Sequence, residues 1–96
     1  MENIKNVILF ISKPVRIMVK GNAQQNVENF ERILHIHWPQ SSLKDRITTS
    51  RMVVLAGDGM LREAFRVDPR GDAEVLAESK LMLGAYIRER LGTPAI

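Results

Sequence analysis

The residues of this 96-residue chain that could do chemistry are two histidines, a Gly-Asp-Gly tripeptide and a group of basic side chains. His35 and His37 are two residues apart, and helix positions at that spacing do not face each other, so they cannot share one metal ion. The chain has no cysteine and no third histidine, so a metal would need carboxylates from elsewhere. We therefore expect no metal site, and we interpret the histidines as helix-end residues favoured by the helix dipole.

The tripeptide Gly57, Asp58 and Gly59 offers a second kind of chemistry. If residues 52–56 formed a strand, the glycines could cradle phosphate groups ahead of a following helix. This loop resembles the Gly-Gly-Asp-Gly-Thr loop of diacylglycerol and nicotinamide-dinucleotide kinases, with Ala56 in place of the first glycine and Met60 in place of the threonine. We favour a simpler interpretation, in which Gly57 ends one helix and Asp58 caps a short helix over 59–65.

Basic side chains in the middle of the chain could form a surface for nucleic acid: Lys44, Arg46, Arg51, Arg62 and Arg66. Lys44 and Arg51 are seven residues apart, so on a helix they would project from one side. Helix-turn-helix proteins present such a face to DNA. Acidic residues are interspersed here and no aromatic platform accompanies the basic ones, so we expect a solvated face and keep nucleic-acid binding as an alternative.

The only tryptophan, Trp38, could anchor a partner, because interface hot spots are rich in tryptophan. A lone tryptophan more often closes one end of a hydrophobic core and donates a hydrogen bond through its indole N–H, and we favour that role. The sequence shows no catalytic constellation and indicates no cofactor. The candidate binding residues are Trp38, Lys44, Arg46, Arg51 and Arg62.

The composition predicts one globular domain over residues 1–96, with 45% apolar and 26% charged residues and a net charge of +3. Residues 1–12 are an apolar lead-in or an extra strand, and 93–96 form a tail. The apolar run at 7–11 is too short for a signal peptide, and no run is long enough for a membrane span. We expect a soluble, cytoplasmic protein without membrane contact.

Alternation of apolar and polar residues predicts a β-hairpin near the N-terminus. Val15, Ile17 and Val19 alternate with polar or flexible neighbours, which is typical of a strand. A turn follows at Gly21, and residues 24–27 are predicted to form the return strand. Residues 7–11 either form a further strand or pack under the helices.

Three helices are predicted after the hairpin. The first covers 28–37, with Phe30 on its apolar stripe and Pro39 beyond its end. The second covers 42–56, although β-branched residues after position 50 would also suit a strand. The third lies between a capping Asp72 and Gly92. Its stripe comprises Val75, Leu76, Ser79, Met82, Leu83, Tyr86 and Ile87. The predicted fold class is α+β, a small antiparallel β-hairpin or sheet packed against three α-helices.

The order of these elements resembles a family of short alphaproteobacterial proteins catalogued as domain of unknown function nine-eighty-two. The resemblance covers roughly residues 13–57. Its matching positions are Pro14, Val15, Val27, Leu34, Trp38, Pro39, Ala56 and Gly57. The resemblance implies a small α+β fold with no assigned activity or cofactor.

These observations predict a non-enzymatic cytoplasmic module that acts through a protein partner or as a homodimer. A spare apolar face on a small domain is commonly buried by pairing with a second copy. The first alternative is a nucleic-acid-binding regulator that uses the basic helix face. The second is a nucleotide-phosphate-binding fragment at residues 57–59.

Overall fold

Three α-helices make up the described part of the chain. The structure, a computed structural model, describes residues 23–95. Helix α1 is Ala23–His37, α2 is Leu43–Val67 and α3 is Ala73–Leu91. None of these helices is long and apolar enough to cross a membrane.

The α+β fold class predicted from the sequence is wrong, because residues 23–95 contain helices and no strand. The return strand expected at 24–27 is instead the beginning of α1. Side-chain hydrogen bonds between positions four apart, such as Gln24 to Glu28 at 3.2 Å, support this first part of the helix. The predicted strands at 15–19 and 7–11 lie outside the described residues.

The end of α1 agrees with the sequence prediction. The helix ends at His37, and the backbone N–H of Trp38 still donates to the carbonyl of Leu34 at 2.7 Å. Pro39 disfavours helical geometry at the residue before it, so the chain turns there. The helix begins at Ala23, five residues before the predicted start at 28, so Asn26 lies inside it and is buried.

Helix α2 begins where the sequence predicts but ends at Val67 rather than at 56, which makes it 25 residues long. The Ser42 hydroxyl caps its start by accepting from the N–H of Asp45 at 3.1 Å. Gly57 does not have the positive φ that is typical of a glycine ending a helix, so it is not a helix cap. Each interior glycine costs up to about 1 kcal/mol, and burial of the apolar face that continues to Leu61 offsets this.

This continuous helix removes the phosphate-loop alternative. Residues 52–56 are helical, whereas the kinase-like arrangement needs them to form a strand that leads into the glycines. The separate short helix predicted over 59–65 is likewise wrong, because those residues belong to α2.

Helix α3 has the boundaries that its caps predict. The Asp72 carboxylate accepts from the N–H of Val75 at 2.9 Å, and Gly92 ends the helix with φ of 85°. The Gly92 N–H donates to the carbonyl of Arg88 at 2.8 Å, which satisfies one of the last helical carbonyls.

The hydrophobic core lies along α2, because α1 and α3 each pack against α2 rather than against each other. The buried cluster contains Phe30, Leu34, Trp38, Val53, Val54, Leu61, Leu83 and Ile87. The molecule is thin, with principal-axis extents of 39 × 31 × 17 Å. A helix with its side chains is about 10–12 Å across, so this three-helix layer leaves large parts of its helices uncovered.

Replacing Phe30 with alanine should lower the free energy of unfolding by about 3 kcal/mol, because its fully buried ring would leave a cavity between α1 and α2. Chemical denaturation followed by circular dichroism measures the change. Ile36→Ala, at a 60% exposed position of the same helix, is the control and should cost less than about 0.5 kcal/mol. Equal effects of the two substitutions would contradict this core.

The hydroxyls of Thr49 and Ser50 are buried in α2 without a hydrogen-bond partner among the described residues. An unpaired buried hydroxyl opposes folding, so Thr49→Val should raise the stability by about 1 kcal/mol. Valine keeps the shape and the β-branching, which leaves helix propensity nearly unchanged. The same denaturation experiment on Thr48→Val, at an exposed position, should show no gain. A loss of stability in Thr49→Val would show that its hydroxyl is bonded.

Candidate functional site

A cleft lies between the beginning of α1 and the beginning of α2, with a volume of about 430 Å³. We call it the α1–α2 cleft. Its lining residues are Gln24, Val27, Glu28, Glu31, Arg32, Leu43, Ile47 and Arg51. Three apolar side chains from both helices share it with two acidic and two basic ones. Such a mixture suits an amphipathic occupant rather than a simple ion.

One wall of the cleft is held in place by an ion pair between Arg46 and Glu31. The Arg46 Nε donates to Glu31 Oε1 at 2.9 Å, and the two side chains are 7% and 17% exposed. Nη1 of Arg46 also donates to the carbonyl oxygen of Ser41, in the loop between the helices. A charge so far from water needs these partners. This arginine therefore fixes α1, the loop and α2 relative to one another.

The predicted basic surface is divided by the fold. Arg46 is buried, Arg51 lines the α1–α2 cleft and Lys44 is exposed. Arg62 is bound by Asp58 one turn earlier in α2, at 2.8 Å. The structure thus brings Lys44 and Arg51 to the solvent side of α2 but places Arg46 inside. Binding of nucleic acid by these residues stays a prediction.

Trp38 lies in the core, in the position that we favoured from the sequence. Its side chain is 4% exposed, and its Nε1 donates to the carbonyl oxygen of Gly92 at 2.8 Å. The Ala95 N–H donates to the His37 carbonyl at 2.7 Å beside it. Trp38 thereby ties the end of α1 to the end of α3, and its use as a binding anchor stays a prediction.

A second surface is formed by exposed and half-buried side chains on α2 and α3. We call it the outer face, and its members are Met52, Ala56, Val75, Ser79, Met82 and Tyr86. In α3 they follow the spacing i, i+4, i+7 and i+11, which is one side of a helix. Met52 is 48% exposed and Met82 is 58% exposed. Residues 23–95 cover neither of these two methionine side chains.

An ion pair shows that the two stripes of the outer face lie on the same side. Asp45 is one heptad before Met52 in α2, and Arg90 is one turn after Tyr86 in α3. Arg90 Nη2 and Asp45 Oδ1 are 3.7 Å apart, across the gap between the two helices. Since residues seven apart on a helix share a side, Met52 and the α3 stripe face the same direction.

Other charged groups pair locally on the surface. Glu63 accepts two hydrogen bonds from Arg66, at 2.7 and 2.8 Å. These bonds hold the pKa of Glu63 below its usual value and raise the pKa of Arg66. The pair therefore persists as the pH falls until the lowered pKa of Glu63 is reached. Both side chains are exposed, so we assign them no part in a site.

His35 and His37 lie in the last turn of α1, where the helix dipole favours them. Within residues 23–95, no group of three or more histidine, aspartate or glutamate side chains could hold a metal ion. The two features that could act on a partner are therefore the α1–α2 cleft and the outer face.

A comparison with protein families matches residues 10–91 to the family described as Tetracyclin repressor-like, C-terminal domain. The chain belongs to this family. No curated protein and no solved structure is significantly similar to the chain. The match covers most of the sequence, and it agrees with the all-helical fold.

Membership in the Tetracyclin repressor-like family corrects the resemblance inferred from the sequence. The chain is not a member of the domain-of-unknown-function family nine-eighty-two. That resemblance rested on short turn and cap residues, such as Trp38-Pro39, which recur wherever a helix ends at proline. The regulators of the Tetracyclin repressor-like family are non-enzymatic, and their C-terminal domain is not catalytic, so the expectation that this chain is not an enzyme is confirmed.

Sequence reasoning missed both surfaces of this Tetracyclin repressor-like domain. It did not include Glu31 among the candidate binding residues, whereas the structure shows Glu31 on the wall of the cleft. It placed Met82 in one broad stripe with Leu83 and Ile87, which are buried while Met82 is exposed. That stripe spans about 140° around the helix, and this width is the signal that could have indicated two adjoining contact faces.

Replacing Glu31 with glutamine should destabilise the domain by about 2 kcal/mol, because the guanidinium of Arg46 would lose its carboxylate while staying buried. Thermal and chemical denaturation measure the loss. Glu63→Gln is the matched control, since it breaks an even shorter ion pair on the surface and should leave the denaturation midpoint nearly unchanged. The ion pair would have no structural role if both variants behaved like the unmodified chain.

Proposed function

We propose that this chain is the dimerisation domain of a transcription regulator, and that two copies associate through the outer face. C-terminal domains of the Tetracyclin repressor-like family mediate dimerisation and ligand binding in regulators that act on DNA. A regulator of this kind works where DNA is, which agrees with the predicted cytoplasmic location. The observation that carries the proposal is the uncovered apolar outer face on the last two helices.

The chemistry of the outer face suits a contact between helices. Met52 and Met82 are flexible apolar side chains that adapt to a facing surface. Ala56 and Ser79 are small, so a second pair of helices could approach closely. The Ser79 hydroxyl donates to the carbonyl of Val75 at 2.6 Å, so it adds no unpaired polar group to the contact.

The outer side of the α2–α3 pair is somewhat smaller than a standard dimer interface. Helix α3 has 19 residues, which makes it about 28 Å long, and two packed helices are about 18–20 Å across. The flat outer side of these two helices is therefore on the order of 500 Å², and the relief of the side chains adds to this area. Standard interfaces bury about 800 Å² per partner. A two-fold axis through this face would place four helices around a shared core, which suits the thin three-helix layer.

Replacing Met82 with glutamate should convert the dimer into a monomer, because an unpaired carboxylate would be buried against its symmetry mate. Sedimentation velocity measures the change from twice the chain mass of 10.9 kDa to that mass. The expected shift in the dimer dissociation constant is at least about 100-fold, which corresponds to roughly 2.7 kcal/mol.

The matched control is Ile36→Glu, which places the same charge at a 60% exposed apolar position of α1, outside the outer face. This variant should stay dimeric. A wild-type chain that is monomeric at high micromolar concentration would refute the proposal. Equal dissociation of both variants would place the contact elsewhere.

A further inference from the structure

We propose that the α1–α2 cleft is a binding site for a free apolar α-amino acid. The carboxylate of this ligand contacts Arg51, its ammonium group contacts Glu28, and its side chain lies on the apolar lining. The inference goes beyond the proposed dimer, because the cleft is separate from the outer face. It is carried by two charged side chains of opposite sign that face the opening and do not pair.

Glu28 of α1 and Arg51 of α2 are the two open charges of the cleft. Both side chains line it, and both are exposed. Within residues 23–95, Glu28 accepts one hydrogen bond, from the amide of Gln24 at 3.2 Å. Arg51 forms neither a hydrogen bond nor an ion pair with any residue of that range. The carboxylate and the guanidinium therefore both have bonding capacity left for a ligand.

These two charges lie at the same level of the cleft. Helices α1 and α2 are joined by the short loop 38–42, so they run antiparallel. The Arg46–Glu31 pair shows which of their turns lie side by side. From that pair, Glu28 is about 4.5 Å back along α1 and Arg51 is about 7.5 Å forward along α2, which is the same direction. The two charges are thus about 3 Å apart along the helix axes, on opposite sides of the opening.

The other two charged side chains of the cleft are already bonded. Glu31 accepts from the buried Arg46 at 2.9 Å, so its charge is neutralised within the wall. Arg32 donates to the side-chain oxygen of Asn29. Arg32 also lies one turn further along α1 than the open carboxylate, toward the loop. The charges available to an occupant at one level are therefore one carboxylate and one guanidinium.

An α-amino acid matches this pair of charges. Its carboxylate and its ammonium group are bonded to the same carbon, so one small molecule can reach both sides of the opening. A guanidinium binds a carboxylate through two parallel hydrogen bonds, and a carboxylate accepts from an ammonium group. A ligand with a single charge would form only one of these contacts. The mixed charge of the lining thus favours a zwitterion over an anion or a cation.

The rest of the lining selects an apolar side chain on this zwitterion. Ile47 lies one turn of α2 from Arg51, and Leu43 lies one turn further toward the loop. Val27 and Ile47 are half-buried, and Leu43 is 57% exposed. A ligand side chain that points away from the charged level covers this surface and removes it from water. The volume of about 430 Å³ lies within the range of small-molecule sites.

Titration of the full-length, isotope-labelled chain with L-leucine tests the proposal, with the backbone amide signals as the readout. The expected result is saturable shifts at Val27, Glu28, Ile47 and Arg51, with none at Met82 on the outer face. Three matched compounds each lack one part of the ligand. Isocaproate lacks the ammonium group, isoamylamine lacks the carboxylate and glycine lacks the apolar side chain. Each should bind at least about 10-fold more weakly than L-leucine.

Two substitutions test the charged contacts. Arg51→Gln and Glu28→Gln should each weaken the binding of L-leucine at least about 10-fold, because each removes one charge-assisted contact. Both positions are exposed, so both variants should keep the denaturation midpoint of the unmodified chain. The matched controls are Arg88→Gln and Glu78→Gln, at exposed positions of α3. These controls should bind L-leucine as the unmodified chain does.

Three results would overturn the proposal. The absence of any shift at the solubility limit of L-leucine would mean that the cleft takes no such ligand. Binding of isocaproate or isoamylamine as tight as that of L-leucine would exclude the zwitterion as the preferred class. Equal binding by the two cleft variants and the two α3 controls would place the contact outside the cleft.

Discussion

Burial of one face of α2 by two other helices is the interaction on which the rest of the structure depends. Val53 and Val54 are almost completely buried at the middle of α2, where α1 and α3 both pack against it. Because α1 and α3 do not pack against each other, α2 carries the core of the whole layer. Its length follows from this role: the apolar face continues past Gly57 to Ala64, and the helix continues with it.

A layer with one central helix has two consequences for function. One side of the α2–α3 pair stays apolar and uncovered, and the opening between α1 and α2 stays unfilled by residues 23–95. The buried Arg46–Glu31 pair joins α1 to α2 at the wall of that opening. Asp45 and Arg90 form a half-exposed contact where α2 and α3 lie side by side. The two surfaces are positioned by the same helix packing that forms the core.

Membership in the Tetracyclin repressor-like family gives these surfaces a context. A thin helical layer that leaves much of its surface uncovered is suited to association. Whether a side chain is buried or exposed depends more on its position in the fold than on its residue type. The sequence alone does not distinguish a methionine on the outer face from a methionine in a core. It also does not show that Arg46 is buried while Lys44, two residues before it, is exposed. Their environments differ because of the neighbouring helices.

The sequence by itself determined the helix boundaries that depend on local chemistry: Asp72 at the start of α3, and Trp38-Pro39 and Gly92 at the ends of α1 and α3. It also indicated the burial of Phe30, whose spacing fits one helix stripe. Only the tertiary structure decided that residues 24–27 are helical, that α2 passes through Gly57, and which basic residue is buried. Those outcomes depend on contacts between distant segments, and such contacts override weak local preferences for strand, turn or solvent exposure.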